Sequence, residues 1–314
     1  MKSPTMKKIT CISLLFLCLF GTGQAQTAFD AIMMQPGEIC VVAGYEHGSF
    51  DHYWEGTYLR TNATIATVYR NSGFAGAAIG LTDRINFLFT IPYVQTHSSE
   101  PNGGKFAGAR GLQDLGLDIK LNLVERTTGK GTLQVLTNVG FATPLTNYLS
   151  DYRPYSIGNG TGELNVRGIL QYRTSIGFYG RGSLAYLWRG QTKAERDYYY
   201  NNGSYYTAWM DVPSALQYQL VAGKWMLDNH LKAELAYTGL HSLSGDDVRA
   251  YNAAQPTNKV HAGLLRVNAQ YYFKRITGLG VLGYYGNTLS GRNTGKMQLW
   301  GGGITYQFPV WKHS

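Results

Sequence analysis

The chain has 314 residues, a formal charge of +9, 39 glycines, 24 tyrosines and only 9 prolines. Without clustered lysine and arginine, this modest basic excess gives no footing for nucleic-acid binding. Past the N-terminus no stretch is apolar and uninterrupted enough to be a membrane-spanning helix, so a membrane role would have to use strands.

The N-terminus carries Lys7 and Lys8, an apolar run over residues 12–20, and small residues at Gly23 and Ala25. This pattern predicts a secretory signal peptide over residues 1–25 and hence export. The apolar run is too short to span a bilayer. Phe16 and Leu17 stand before Cys18 where a lipoprotein site needs small residues, which argues against a lipid anchor. Loss of the signal would remove Lys2, Lys7 and Lys8, leaving a charge near +6, and would remove Cys11 and Cys18. Cys40 then has no partner for an intramolecular disulfide.

Residues 26–37 read as a leader, and a strand follows over 38–47 with Ile39, Val41, Ala43 and Tyr45 on one side. A second strand lies within 62–81, where glycine and alanine blur the faces. Over 85–97, Ile85, Phe87, Phe89, Ile91 and Tyr93 alternate with Asn86, Leu88 and Thr90. Residues 98–111 read as a glycine-rich loop. The clearest stretch is 112–124, with Leu115, Leu117, Ile119, Leu121 and Leu123 on one face and Asp114, Asp118, Lys120 and Asn122 on the other.

Further strands are expected over 132–142, 164–173, 178–188, 215–225, 231–240, 264–273, 279–286 and 296–308. Long loops at 144–160, 189–212 and 241–259 alternate with short turns near 126–130, 174–177, 226–229 and 274–277. About twelve two-faced strands, an even number with long loops on one end and short turns on the other, predict an all-β transmembrane antiparallel up-and-down β-barrel over 38–308, with a tail at 309–314. Aromatic residues such as Tyr45, Phe141, Tyr172, Trp188, Tyr271 and Trp300 fall near strand ends, where amphipathic rings suit a headgroup layer. The competing reading is a soluble β-sandwich, whose strands are also two-faced.

Side-chain parity predicts a polar lumen lined by Glu38, Glu46, Asp114, Asp118 and Glu234 together with Lys120, Arg167, Arg173, Arg181, Lys232 and Arg266. Such a lining could orient a solute, or it could form an ion-pair network that fills the barrel. Twelve strands fall between barrels of about eight, filled by side chains, and about sixteen, which hold an aqueous pore. Residues 27–37 could also enter the lumen.

Glu46, His47, Asp51, His52 and Glu55 could clasp a divalent ion, but their spacing fixes no ligand geometry, and a polar loop is the simpler reading. His47 and Ser49 do not make a hydrolase without an orienting third group. No catalytic residue, metal or cofactor is expected. In the loop over 197–206 an Asn202-Gly203 pair between tyrosine runs predicts a hairpin with a type I′ turn. Its Tyr198, Tyr199, Tyr200, Tyr205 and Tyr206, with nearby Trp209, are candidate extracellular contacts for solute.

Gly303, Tyr306 and Phe308 in the last strand resemble the C-terminal signal read by the barrel assembly machinery of bacterial outer membranes, although Gly301 replaces a polar residue and residues 309–314 extend beyond it. Three further stretches, Gly80-Leu81-Thr82-Asp83-Arg84 leading to Ile91-Pro92-Tyr93-Val94, Gly111-Leu112-Gln113-Asp114-Leu115-Gly116-Leu117, and Gly140-Phe141-Ala142-Thr143-Pro144, resemble the outer-membrane transporter family of the phenol-degradation MetA pathway. The resemblance implies a small barrel that passes aromatic or other hydrophobic compounds, and it carries over no site residues. The expected partners are outer-membrane lipids, the assembly machinery and a small-molecule solute, with no nucleic acid. The alternatives are a closed-lumen structural or surface-interaction barrel and, further off, an outer-membrane lipid hydrolase.

Overall fold

The computed structural model describes residues 26–248 and 254–311. The expected signal peptide lies outside the described residues, as do the last three residues of the expected tail. Twelve strands cross in series: β1 (Glu38–Phe50), β2 (Val68–Thr82), β3 (Ile85–Asn102), β4 (Asp114–Thr128), β5 (Gly131–Pro144), β6 (Glu163–Thr174), β7 (Phe178–Arg189), β8 (Ala215–Met226), β9 (Leu231–Ser242), β10 (His261–Tyr272), β11 (Leu279–Arg292) and β12 (Gln298–Pro309). Each pairs antiparallel with its sequence neighbours, and β1 pairs with β12, so the sheet closes on itself. Closure gives every strand two partners and leaves no edge, which is what a low-dielectric surround demands of backbone N–H and C=O groups. This is the expected all-β, antiparallel, up-and-down barrel.

The strands are two-faced throughout. Outward side chains are apolar and exposed, among them Ile119 (47 %), Leu170 (55 %), Leu220 (61 %), Val267 (57 %) and Ile304 (58 %). A continuous apolar exterior on this scale is unsuited to water and suited to lipid. The outward aromatic rings form two levels. Toward the long loops lie Tyr45 and Trp300, with ring centroids 6.0 Å apart, and Tyr285, which is in register with Trp300. Toward the short turns lie Tyr306 and Phe308, 5.7 Å apart.

One stretch departs from the expectation. Phe106–Leu112, inside the predicted glycine-rich loop, is a strand that continues β4 and pairs with β3 from Tyr93 to Asn102, so this ribbon stands beyond the barrel rim. Its small residues hid it, because Gly108 and Gly111 carry no side chain and Ala107 and Ala109 only a methyl, which leaves no period to read. At Gly108 the missing Cβ allows the neighbouring strand to approach, since a Cβ there would strike the Thr96 carbonyl.

Candidate functional site

The leader folds back into the barrel. Gly37, in the left-handed region (φ 80°), makes the turn that feeds β1. The Gly37 N–H donates to the Gly80 carbonyl (2.9 Å) and its own carbonyl accepts from Val310 N (2.8 Å), which pins the turn across the short-turn end. Residues 31–34 then cross the lumen as an apolar rung. Met34 packs with Cys40, Ala78 and Leu88 on one wall, Met33 packs against Leu136 and Ile169 on another, and Ile32 touches both the first cluster and that of Tyr179, Val221, Trp225, Ala236 and Tyr272. A segment in contact with opposite walls is a plug, and burial of these side chains is its main stabilisation.

Asp30 organises the turn above the rung. Its carboxylate accepts from Thr27 N (2.6 Å), Thr27 Oγ1 (2.8 Å) and Ile32 N (2.9 Å). The fourth donor is the Lys120 ammonium, 2.9 Å away. Lys120, fully buried, also donates to the carbonyls of Thr27, Asp30 and Ile32. Every capacity of the buried ammonium is thus used, which makes its dehydration tolerable. Phe29 lies on the Arg167 guanidinium, 4.1 Å from ring centroid to Cζ, a stacking that suits arginine in a restricted dielectric.

The other residues singled out by parity fall as follows. Arg181 meets Glu234 at 3.1 Å, and Glu234 also accepts from Tyr179 (2.7 Å) and Asn268 (3.4 Å). Lys232 sits 5.8 Å from the Trp225 ring centroid. Asp118 accepts from Asn138 (2.7 Å), Asp114 from the Tyr148 hydroxyl (2.5 Å), Glu46 from the Tyr284 hydroxyl (2.9 Å) and Glu38 from Gln307 (2.6 Å). Arg167 donates to Gln217 at 2.5 Å, Arg173 donates to Asn229, and Arg266 lies over the Tyr284 ring. Burial, and then the bond to Asp114, push the Tyr148 hydroxyl well above the ordinary tyrosine value, so it stays a donor.

The structure therefore joins Arg181, Glu234 and Lys232 into one cluster and gives Lys120 a partner from the leader. It spreads Glu38, Glu46, Asp114 and Asp118 along the wall on separate neutral donors. Sequence reasoning missed Asp30, Arg70, Glu163 and Arg189. Glu163 and Arg189 pair at 2.7 Å at the long-loop end of β6 and β7, where their parity with Arg167 and Arg181 was a usable signal.

The possible metal cluster is dispersed. Glu46 bonds to Tyr284, His47 bonds to Asn71 (2.7 Å) and lies tilted beside Trp300, Asp51 pairs with His52 (2.8 Å), and Glu55 pairs with Arg60 (2.7 Å). The tyrosine hairpin exists, with Tyr199 and Tyr200 opposite Tyr205 and Ser204. Its connection is not the expected two-residue type I′ turn, because it takes in residues 201–203 and only Asn202 has positive φ (54°). Tyr199 stacks on Tyr205 at 5.2 Å and Tyr198 lies 5.9 Å from Tyr206. Tyr199 is buried beside Ala194 and Met210, while Tyr198, Tyr205, Tyr206 and Trp209 are exposed. Tyr200 is half-buried, and its carbonyl accepts from Gln255 at 2.5 Å.

Two cavities lie along the barrel axis. The inner one, about 430 Å³, sits on the plug and is walled by Phe29, Val42, Phe74, Leu88, Lys232 and Glu234 among others. The outer one, about 750 Å³, lies under the long loops and is lined by Phe50, Trp54, Ile65, Val68, Arg70 and Arg153 among others. Residues 44–48 of β1 separate the two levels. Both cavities mix apolar side chains with polar and charged ones, so each offers an apolar body and an orienting group to a small molecule.

No protein-family model matches the chain, and no curated protein sequence matches it. Among solved structures, an outer membrane channel from Pseudomonas putida F1 is similar over 91% of this chain and 100% of its own, with a TM-score of 0.71 at 15% identity. The translocator domain of the autotransporter NalP from Neisseria meningitidis (TM-score 0.46, 13% identity, 88% and 90% covered) and the CymD monoaromatic hydrocarbon channel (TM-score 0.41, 11% identity, 89% and 90% covered) are looser likenesses. The fold is that of an outer-membrane barrel.

Proposed function

We propose that the protein is an outer-membrane channel for small hydrophobic or aromatic solutes, with the leader as its plug. The observation that carries this reading is the pair of stacked, partly apolar cavities inside a closed barrel whose exterior suits lipid. The short turns would face the periplasm, delivery would depend on the barrel assembly machinery, and the lumen would do no covalent chemistry. Similarity in fold to an outer membrane channel agrees with this. A second reading has its own support: the fully buried Lys120 and the apolar rung would also suit a permanently closed structural barrel.

Planar-bilayer recording on the purified full-length mature chain separates the two. Discrete current steps that a dissolved aromatic solute blocks are expected. Silent membranes containing protein whose heat-modifiable gel mobility shows a folded barrel would reject the channel.

A further inference from the structure

The outer cavity differs from the inner one in how its charges are matched. Arg70 and Arg153 both line it, and neither is in an ion pair among the described residues. Arg70 donates to Gln113 Oε1 (3.2 Å) and the Ile157 carbonyl (2.9 Å), and Arg153 donates to Asn159 Oδ1 (2.8 Å). These partners are neutral. The Nε of Arg153 is buried with no acceptor.

The nearby carboxylates make their short contacts elsewhere, two of them with neutral hydroxyls and two with other arginines. Glu46 is held by Tyr284 (2.9 Å), Asp114 by Tyr148 (2.5 Å), Asp151 by Arg196 (3.0 Å), and Glu55, the carboxylate on the cavity wall, by Arg60 (2.7 Å). Burial lowers Arg153 to about 10, with a further push from the Arg189 and Arg70 charges, and leaves it protonated at neutral pH. Two guanidinium groups thus line one cavity without a direct ion-pair partner; the charges of Glu46 and Asp114 reach Arg70 only from a distance, and the buried Arg153 Nε keeps a donor for an entering anion. The wall is mixed: Phe50, Met297 and the buried Trp54, Ile65 and Val68 give it an apolar part, beside polar groups such as Asn62, Thr96, Thr288 and Asn293. At about 750 Å³ the space is within the range of small-ligand sites.

We propose that the outer cavity is a binding subsite for a small organic anion, an aryl or alkyl carboxylate whose charge is met by Arg70 and Arg153 and whose apolar body rests on Phe50, Trp54 and Met297. Guanidinium is suited to this, since its planar fork matches a carboxylate and it is weakly hydrated. The subsite rests on the channel reading only in being the first station on that path; binding itself requires no passage.

Isothermal titration of the full-length mature protein in detergent with benzoate, and with benzamide as its neutral analogue, tests the subsite. Benzoate is expected to bind at least tenfold more tightly than benzamide. Arg153→Gln should weaken benzoate about ten- to a hundredfold, the loss of one charge-assisted contact, and leave benzamide unchanged. Arg153→Lys, which keeps the charge, should recover part of the loss, and heat-modifiable mobility shows that each variant is folded. Equal affinity for the two probes, no benzoate binding to the unaltered protein, or a folded Arg153→Gln that binds benzoate normally would each overturn the proposal. Bilayer recording on the same preparations keeps the two ideas apart: a silent barrel that still prefers benzoate loses the channel and keeps the subsite, while a conducting barrel without that preference does the reverse.

Discussion

Replacing Asp30 by Asn tests what holds the plug in place. The substitution keeps the shape of the side chain but withdraws the charge facing Lys120, whose side chain and that of Asp30 are 0% and 5% exposed. It also sets an amide N–H₂ where Thr27 N and Thr27 Oγ1 now donate to the carboxylate. Breaking a buried pair from one side costs about 3–5 kcal/mol. Because the ammonium keeps carbonyl acceptors from Asp30 and Ile32, the lower end applies, and about 3 kcal/mol is roughly a hundredfold in the docking equilibrium. The barrel ladders do not pass through the leader, so the loss should appear as leader release and not as unfolding. Native-state hydrogen exchange at Thr27 and Ile32 reads this directly. In the Asp30→Asn/Lys120→Met double variant the mismatched charge is gone, and protection should partly return. Leader amides as well protected in the Asp30→Asn variant as in the original protein, or additive effects in the double variant, would refute the reasoning.

Ile119→Arg places a charge on the exposed outer face and should lower stability in lipid by about 2–4 kcal/mol near mid-membrane, measured as a shift in the unfolding midpoint in vesicles; a silent substitution would contradict the assignment of faces. Asp247 accepts from Arg292 (2.7 and 2.6 Å) and Asn293 (2.9 Å), and the Arg292 hydrogen bonds are the main cause of a carboxyl held below its ordinary value. A lowered folded value means that this clasp is fully present above the unfolded value of about 3.9 and weakens only as pH falls through the lower one. The Val248 amide, which donates to Asn293 Oδ1 (3.0 Å), should therefore be equally protected from hydrogen exchange at pH 5 and pH 7 relative to its intrinsic rate, and protection lost at pH 5 would count against the clasp.

The barrel was legible because lipid outside and polar groups inside impose a strict period of two. Ile119 beside Lys120 shows this within two residues: one is exposed on the outer face, the other fully buried in the lumen. The strand over Phe106–Leu112 was not legible, because its glycines and alanines carry no period. Arg70 was missed for a related reason, since it sits in a strand whose glycines and alanines blur the faces. Asp30 lies outside any strand, so no periodicity could place it opposite Lys120; only the turn at Gly37 brings the two together. The turn of the tyrosine hairpin was misread because pairing of Tyr199 with Tyr205 leaves three residues between the strands, so the Asn-Gly pair does not occupy a two-residue turn.

In the proposed channel the leader closes the path through the lumen. Single-channel recording of the full-length mature chain against a chain lacking residues 26–34, in the same bilayer, tests it most directly. Small, short-lived steps are expected from the former and larger, long-lived openings from the latter. Identical step sizes and open times, with both proteins folded and inserted, would contradict it.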